Sequence, residues 1–383
     1  MNQSNNKILV LSNSWIGLHS FRKEVFHAFK DEGYDVYISC PNDSPEKALW
    51  FQNIGCKVIN TSFNRQGTNP IADIKLMLYY CKLIKELKPL AVLSYTIKPN
   101  LYGGMACALC GVPQLANITG LGAAVEYPGV MQKFTILLYK LGLRKTYLTF
   151  FQNDTNRQFC MNHGMVKGNT QLIPGSGVNL QYHQFVEYPS AEEPIRFVFC
   201  SRIRKEKGIE EYISAAEAMH EKYGDKVEFH VLGSCEGDYA DRLNELTNRG
   251  VLVYHGPQSD VRPFFAKASC TIHPTFYPEG MSNVLLESCA AGRPIITTDR
   301  PGCKEIVDDG VNGYIVKQQD KDDLIEKVDR FILLPYDEKQ KMGLAARKKV
   351  EKEFDRKIVI DAYLKAVSKI ENSLLSNKIR VLN

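Results

Sequence analysis

The sequence lacks three features, each of which would have placed it in a different class of protein. It has no run of about 18 or more uncharged apolar residues, which a membrane-crossing helix requires. It has no Gly-x-Gly-x-x-Gly, the phosphate-binding fingerprint of nicotinamide-dependent dehydrogenases. Its 11 cysteines are odd in number and scattered, which favours reduced thiols over a disulfide framework. The missing apolar run and the scattered cysteines predict a cytoplasmic protein. Peripheral contact with the inner face of the cell membrane is a further expectation, because the N-terminal half is basic.

Acidic residues are scarce in the N-terminal half. Residues 1–183 carry 18 Lys and Arg against 10 Asp and Glu, a net charge of +8, whereas the remainder carries 30 against 33, a net charge of −3. A basic half of this kind predicts contact with an anionic partner, either a lipid surface, a diphosphate or a nucleic acid. Nucleic acid is disfavoured because aromatic residues are not interleaved with the basic ones.

Strand-like and helix-like segments alternate along the chain. Short apolar runs are separated by longer segments of helical period, such as residues 71–87 and 130–143. This alternation predicts α/β architecture with doubly wound parallel sheets, whose ligands bind beyond the carboxyl ends of the strands. The predicted strands are residues 8–11, 36–39, 57–59, 91–94, 114–118, 148–151, 196–200, 227–232, 251–254, 270–273, 294–297 and 313–316.

The stretch from residue 270 to 307 predicts one strand–loop–helix–strand unit. Its loop carries Glu279, its helix carries Glu287, and Ser282 or Asn283 can cap that helix. The free N–H groups of a helix start favour an anion, above all phosphate. A carboxylate beside that end suits hydroxyl donors instead, which indicates a sugar or a ribose.

The same stretch resembles the Glu-x7-Glu signature of the retaining family-four glycosyltransferases of the GT-B fold. The resemblance runs from Glu279-Gly280-Met281 to Glu287, and continues through Ala291-Gly292-x-Pro294 and Gly302-x-x-Glu305-Ile306-Val307. It implies that Glu279 holds the donor hexose and Glu287 the ribose hydroxyls of the nucleotide. The remaining donor-binding residues that it implies are Gly280 and the backbone N–H groups of Met281, Ser282 and Asn283.

Basic residues follow the predicted strand at 196–200, where they are well placed to bind phosphate. Arg202 and Lys207 match the Arg-x4-Lys-Gly pair of the resembled family, which assigns them, with Glu279, to catalysis at the donor diphosphate. The family also places a glycine against the diphosphate, here Gly17, for which an ordinary turn glycine is the alternative. It places the backbone near His255 against the nucleobase.

Two loops of the N-terminal half resemble those of bacterial capsule, O-antigen and N-glycan enzymes that act on undecaprenyl-diphosphate-linked sugars. Lys98 either binds the acceptor diphosphate or is a solvated lysine. Thr119 stands where many members of the wider family have a histidine, and it could form a hydrogen bond but could not act as a base near pH 7. The basic amphipathic stretch 128–153 either lies on an anionic membrane or packs in the core with one wet face.

The resemblance implies two Rossmann-like domains facing a cleft, with a C-terminal helix that crosses back to the first domain. Residues 1–183 form the acceptor-binding domain and residues 195–354 the nucleotide-sugar domain. Residues 184–194 are the linker, because they lose the apolar period and gain proline and glutamate, and residues 355–383 are the crossover helix and tail. We expect retaining transfer of a hexosyl or N-acetylhexosaminyl group to a lipid-diphosphate-linked glycan, as in assembly of bacterial surface polysaccharides or glycoprotein glycans. The expected donor is a UDP sugar rather than a GDP sugar, with no metal and no further cofactor.

Two alternatives remain open from the sequence. A nucleotide-sugar epimerase of the same fold would need acid–base residues for proton exchange, and no well-placed set is evident. A non-catalytic partner in a glycan-assembly complex would not need the two glutamates and the Arg202/Lys207 pair.

Overall fold

The computed structural model describes residues 6–61, 63 and 69–382 of the chain. These residues divide into two compact units. The first unit runs to Ser176 and takes up the chain again from Lys357, and the second unit is Gly177–Arg356. Each unit is built on its own parallel β-sheet.

Seven parallel strands form the sheet of the first unit within the described residues, in the order β3-β2-β1-β4-β5-β6-β7. The six strands predicted for this part of the chain are confirmed. The seventh, β7, was not predicted because Asn-Thr-Gln-Leu has no apolar run, which an exposed edge strand does not need. The strands are β1 (Lys7–Leu11), β2 (Asp35–Cys40), β3 (Lys57–Asn60), β4 (Ala91–Tyr95), β5 (Gln114–Ile118), β6 (Leu148–Phe151) and β7 (Asn169–Leu172).

Helices cover both faces of this sheet, and local sequence explains where they begin. The Ser14 side chain accepts a hydrogen bond from the Gly17 N–H at 3.2 Å, and Asn69 does the same for the N–H groups of Ile71 and Ala72. A π-helical turn, Pro99–Gly103, leads directly into the fourth helix. The helices are α1 (Trp15–Asp31), α2 (Pro45–Asn53), α3 (Pro70–Leu87), α4 (Gly104–Cys110), α5 (Val130–Gly142) and α6 (Asp154–Asn162).

The second unit has a six-stranded parallel sheet in the order β10-β9-β8-β11-β12-β13. The predicted fold class, α/β with two doubly wound parallel sheets, is therefore confirmed. The strands are β8 (Ile195–Cys200), β9 (Val227–Leu232), β10 (Val253–Tyr254), β11 (Cys270–His273), β12 (Ile295–Thr298) and β13 (Gly313–Val316). The helices of this unit are α7 (Ile209–Tyr223), α8 (Tyr239–Asn248), α9 (Arg262–Lys267), α10 (Asn283–Ala290), α11 (Lys321–Leu333) and α12 (Tyr336–Glu353). The last helix of the chain, α13 (Arg356–Leu382), follows them.

The helix α13 returns the chain to the first unit. Val359, Tyr363 and Val367 are fully buried in the core that covers one face of the first sheet. The Tyr363 hydroxyl donates a hydrogen bond to the side-chain oxygen of Asn117 on β5. The expected crossover helix therefore packs as an integral part of the first unit.

The first unit ends at Ser176, seven residues before the boundary that we placed at residue 183. The backbone explains the difference, because the Val178 N–H donates to the Phe354 carbonyl at 2.8 Å and the Arg356 N–H donates to the Val178 carbonyl at 3.1 Å. Gly177 has φ +64°, and a Cβ there would clash with the Arg356 backbone. Residues 177–183 thus belong to the second unit, and this pairing depends on contacts about 180 positions apart, which apolar period cannot reveal.

Candidate functional site

Two loops at the carboxyl edge of the second sheet are hydrogen-bonded to each other. The N–H groups of Phe276 and Tyr277 donate to the Glu206 carbonyl at 3.0 and 2.9 Å. Gly208 has φ +80°, and any Cβ at this position would clash with the Pro274 carbonyl. The loop after β8 and the loop after β11 therefore lie against each other, which the parallel pairing of these strands requires.

This contact brings together two of the residues predicted from sequence. The Lys207 ammonium donates a hydrogen bond to Oε1 of Glu279. The two side chains are only 10% and 17% exposed, so the ion pair is largely shielded from solvent. The ammonium also lies 4.6 Å from the centre of the Tyr277 ring, a cation–π contact that the loop itself supplies.

The turn after β12 is hydrogen-bonded to the end of the loop that carries Glu279. The Ser282 N–H donates to the Gly302 carbonyl at 2.8 Å, and the Gly302 N–H donates to Oε2 of Glu305 at 2.7 Å. The Ser282 N–H thus has a backbone acceptor, so the predicted contact of this N–H with a hexose and diphosphate would require that bond to open, and it stays a prediction. Ser282 occupies the N-cap position of α10, which begins at Asn283 as expected, and Met281 is buried beside it.

Glu287 lies on α10 and its carboxyl group is in an unusual environment. Burial raises its pKa to about 7, and the charge of Arg356 partly opposes this rise. About 24% of the side chain nevertheless stays exposed, so a ligand can reach it. His183 lies near this carboxyl group, with its Nε2 3.9 Å from Oε1 of Glu287, which is too far for a hydrogen bond.

Arg202 has a different environment from Lys207. Its side chain is 57% exposed, and its guanidinium donates to Oε1 of Glu236 at 3.3 Å. Glu236 follows β9, and Arg204 also lies 3.6 Å from its other oxygen. The two predicted cations therefore differ, since one is buried against Glu279 and the other sits in a solvated cluster with an acid that sequence reasoning did not select.

The His255 imidazole is directed at another histidine. Its Nε2 lies 2.9 Å from Nδ1 of His230, the rings are stacked at 5.2 Å, and burial is the main cause that lowers the pKa of both. A cavity of about 300 Å³ beside them is also lined by Arg196 and Lys267. The His255 N–H donates to the Val231 carbonyl at 2.9 Å. The side chain thus completes a histidine pair and the backbone N–H is bonded within the fold, so the expected contact of this backbone with a nucleobase stays a prediction.

In the first unit, the structure excludes the interpretation of Lys98 as a solvated lysine. Its ammonium lies 2.8 Å from Oδ1 of Asp73, and the Tyr102 hydroxyl donates to Oδ2 of Asp73 at 2.9 Å. Both charged side chains are largely buried. Asp73 carries no sequence signal beyond an acid in the first turn of a helix, so reasoning from sequence missed it.

The other two first-unit residues lie where the fold places loops after strands. Gly17 falls in the first turn of α1 and donates its N–H to the Ser14 cap, and neither a positive φ nor a clash demands glycine there. Thr119 is half-buried directly after β5. In the preceding loop, Thr96 has φ +71°, an unfavourable conformation for a β-branched residue that marks local strain.

Two features are absent from the part of the chain that the structure describes. Among those residues, no group of three or more His, Cys, Asp or Glu side chains is arranged to hold a metal ion. The helices in the same part of the chain include none with the length and apolar character needed to cross a bilayer.

Comparison with protein families gives two matches that together span most of the chain. Residues 182–349 match the family described as glycosyl transferases group 1, and residues 7–153 match the family described as glycosyl transferase 4-like. The segment 182–349 covers the sheet of the second unit and contains the Lys207–Glu279 pair and Glu287. The segment 7–153 covers β1 to β6 of the first unit.

Similar proteins include two bacterial enzymes and one solved structure. The chain is 27% identical over 382 residues to the N,N'-diacetylbacillosaminyl-diphospho-undecaprenol alpha-1,3-N-acetylgalactosaminyltransferase of Campylobacter jejuni, covering 95% of this chain and 99% of that one. It is 29% identical to the capsular polysaccharide biosynthesis glycosyltransferase CapM of Staphylococcus aureus, covering 75% of this chain and 79% of that one. The fold matches Anabaena HepE in complex with UDP-glucose, with a TM-score of 0.74, 18% identity and coverage of 97% and 99%.

The two parallel sheets give this chain the GT-B fold, which the solved structure shares. The chain belongs to the glycosyltransferases, with a group 1 domain in its second unit and a 4-like domain in its first.

Proposed function

We propose that this glycosyltransferase is a retaining enzyme that moves a hexosyl or N-acetylhexosaminyl group from a UDP sugar to a lipid-diphosphate-linked glycan. The proposed context is assembly of a bacterial surface polysaccharide or glycoprotein glycan. The observation that carries the proposal is the buried Lys207–Glu279 pair beside the start of α10, which bears Glu287. At this one sheet edge, Lys207 is a cation suited to a diphosphate. Glu279 can accept hydrogen bonds from the hydroxyls of a hexose, and Glu287 from those of a ribose.

Lys207 and Glu279 have complementary roles in this proposal. The bond that breaks joins C1 of the sugar to the diphosphate oxygen, so negative charge grows on the leaving group and positive character on the sugar. Lys207 stabilises the leaving diphosphate as that charge develops, assisted by the more exposed Arg202. Glu279 accepts hydrogen bonds from the hexose hydroxyls and orients the ring, and the leaving phosphate oxygen takes the acceptor proton.

Glu287 is assigned to the ribose hydroxyls. A carboxylate can accept hydrogen bonds from both hydroxyls only when it is ionised. Because burial raises the pKa of Glu287 to about 7, the donor and a proton compete for this group near neutral pH.

The choice of UDP rests on likeness. Anabaena HepE was solved with UDP-glucose, and the Campylobacter jejuni enzyme is named as an N-acetylgalactosaminyltransferase. That enzyme and this chain align over nearly their whole lengths. Its name also specifies an undecaprenol diphosphate acceptor, which supports a lipid-linked acceptor here.

The first unit supports a lipid-linked acceptor through its surface. Helix α5 exposes Val130, Met131, Phe134, Leu137 and Leu141, an apolar stripe at helical spacing, and Tyr127 is exposed just before it. From residue 130 to residue 145 every charged residue is basic, namely Lys133, Lys140, Arg144 and Lys145, and one acid, Glu126, precedes the stripe. An apolar stripe with basic flanks suits a membrane surface that contains anionic lipid.

The donor assignment is tested by a thermal-shift screen of the full chain against UDP, GDP and the common UDP and GDP sugars. We expect UDP and at least one UDP sugar to raise the melting temperature, because a ligand that binds only the folded state stabilises it. If no nucleotide shifts the transition, or only GDP compounds do, the proposed donor is wrong.

The acceptor surface is tested by sedimentation with vesicles containing phosphatidylglycerol. The double substitution Phe134→Ser and Leu137→Ser should reduce the bound fraction several-fold, since each buried apolar side chain contributes about 1.5–3 kcal/mol. The matched control is Leu344→Ser, at an exposed leucine of α12 in the second unit. Equal binding by all three proteins would contradict the assignment of this surface to the membrane.

A further inference from the structure

A buried histidine ends β11 directly beneath the proposed donor site. His273 is 2% exposed, and neither of its ring nitrogens has a hydrogen-bond partner. Its backbone carbonyl accepts a hydrogen bond from the Thr297 hydroxyl at 2.7 Å, so the main chain is fixed while the imidazole is not paired. Buried polar groups normally have a partner, and an exception needs an explanation.

The imidazole lies against the Lys207–Glu279 pair. Its Nε2 is 4.0 Å from Oε1 of Glu279, the same oxygen that accepts the hydrogen bond from Lys207. Burial, and then the positive charge of Lys207, lower the pKa of His273 to about 3. The ring is therefore neutral near pH 7, and its separation from Glu279 is neither an ion pair nor a hydrogen bond.

The environment of His273 does not require a histidine for folding. Its predecessor Ile272 is fully buried and apolar, and the ring of Phe199 is a neighbour with centroids 6.4 Å apart. An apolar side chain at position 273 would fill this space without an unpaired nitrogen. A polar ring in such a place is best explained by a partner that it acquires in another state of the site.

We propose that His273 is a positioning residue, which replaces Lys207 as the hydrogen-bond donor to Glu279 when the sugar nucleotide binds. This inference rests on the proposed function, in which the diphosphate attracts the Lys207 ammonium and Glu279 turns to the hexose. As Lys207 leaves Oε1, the His273 Nε2–H moves from 4.0 Å to a hydrogen-bond distance of about 2.9 Å and donates to that oxygen. The carboxylate is then held in the orientation that the hexose hydroxyls need.

A neutral hydrogen-bond donor is better suited than a second cation to hold the Glu279 carboxylate. It holds the carboxylate without neutralising it, so Glu279 remains a strong acceptor for the sugar hydroxyls. It also leaves the full charge of Lys207 available to the leaving diphosphate. The effect of His273 is therefore confined to the sugar part of the donor.

The test compares His273→Leu, which removes both ring nitrogens, with His273→Gln, whose amide N–H can reach the same oxygen. Calorimetry measures the affinity of each full-length variant for UDP and for the UDP sugar that most stabilises the wild-type protein among UDP-glucose, UDP-galactose and their two N-acetylhexosamine counterparts. We expect His273→Leu to bind UDP like the wild type and to bind the UDP sugar about tenfold more weakly. His273→Gln should recover most of that loss. His273→Met serves as a second variant whose side chain has no hydrogen-bond donor.

Thermal unfolding separates this role from a structural one. Because His273→Leu removes an unpaired buried group, we expect its melting temperature to equal or exceed that of the wild type. Equal weakening of UDP and UDP sugar, an unchanged affinity ratio, or no recovery with His273→Gln would overturn the proposal for His273 alone. Failure of the wild-type protein to bind UDP and all four sugars would instead overturn the proposed function on which it rests.

Discussion

Each of the two units buries one lysine–carboxylate pair at or near the carboxyl edge of its sheet, and the two pairs differ in what else the carboxylate touches. In the first unit Asp73 is bonded on both oxygens, to Lys98 on one and to the Tyr102 hydroxyl on the other. In the second unit Lys207 donates to one oxygen of Glu279, the oxygen that also faces the unpaired ring of His273. The first arrangement is a brace within the fold, whereas the second is suited to rearrange around a ligand.

The largest expected effect is on catalysis in the second unit. Lys207→Ala and Glu279→Gln should each lower kcat/KM about a hundred- to a thousandfold, because a charged contact made in the transition state contributes about 2.7–4 kcal/mol. Steady-state transfer assays with the UDP sugar identified in the screen measure this loss. Lys205→Ala, at an exposed lysine two positions before Lys207, is the control and should stay near wild-type turnover.

The brace in the first unit predicts a loss of stability instead. Asp73→Asn leaves Lys98 buried without its counter-charge, which should cost about 3 kcal/mol of folding free energy. Urea unfolding monitored for the first unit measures the change, with Asp154→Asn, an exposed first-turn acid on α6, as the matched control. If Asp73→Asn unfolds like the control while UDP affinity falls, then Asp73 belongs to a ligand site and the contrast between the two pairs is lost.

The next effect is a pH dependence that originates at Glu287. Since its pKa is raised to about 7, UDP-sugar affinity should increase by up to about tenfold per pH unit below that value and level off above it. A UDP sugar is the right probe because its diphosphate, esterified at both ends, does not titrate in this range. Glu287→Gln should bind more weakly and without this slope, and a wild-type slope in that variant would exclude Glu287 as the titrating group.

The same carboxyl group affects stability with a defined sign. Between the ordinary carboxyl pKa of about 4.3 and the raised value of about 7, the folded chain binds more protons than the unfolded chain. The contribution of Glu287 to stability therefore falls as pH rises through this window, and Glu287→Gln should remove that part of the pH dependence of the melting temperature.

The smallest expected effect belongs to Arg202. Because its side chain is 57% exposed and already paired with Glu236, Arg202→Ala should lower kcat/KM by about tenfold, less than Lys207→Ala. Salt should shrink the difference between Arg202→Ala and the wild type more than it shrinks the effect of Lys207→Ala. If Arg202→Ala lowered kcat/KM as much as Lys207→Ala, solvent exposure would not explain the relative contributions of the two cations to catalysis.

Sequence periodicity was sufficient for the buried strands but not for an exposed edge strand or for the ends of the units. A buried parallel strand has an apolar run that can be read directly, as in Ile8–Leu11, whereas the polar edge strand β7 has none. The boundary at Ser176 depends on Gly177 and Val178 meeting the chain near Arg356, a contact that local pattern cannot reveal.

The candidate site, too, could be predicted only in part from the sequence. Resemblance selected Lys207, Glu279 and Glu287, but it gave no sign that the first two are bonded across 72 positions. His273 and Asp73 were missed because a single histidine in an apolar strand and a single acid in a first helical turn have many ordinary explanations. Their importance follows from burial and partners, which only the folded chain defines.

In the proposed mechanism, binding of a sugar nucleotide separates the Lys207–Glu279 pair. A crystal structure of this chain with a bound UDP sugar would show whether it does. We expect Lys207 Nζ about 2.9 Å from a diphosphate oxygen, Glu279 on the hexose hydroxyls and Glu287 on the ribose. A complex in which Lys207 stays bonded to Glu279 while other residues hold the diphosphate would contradict it.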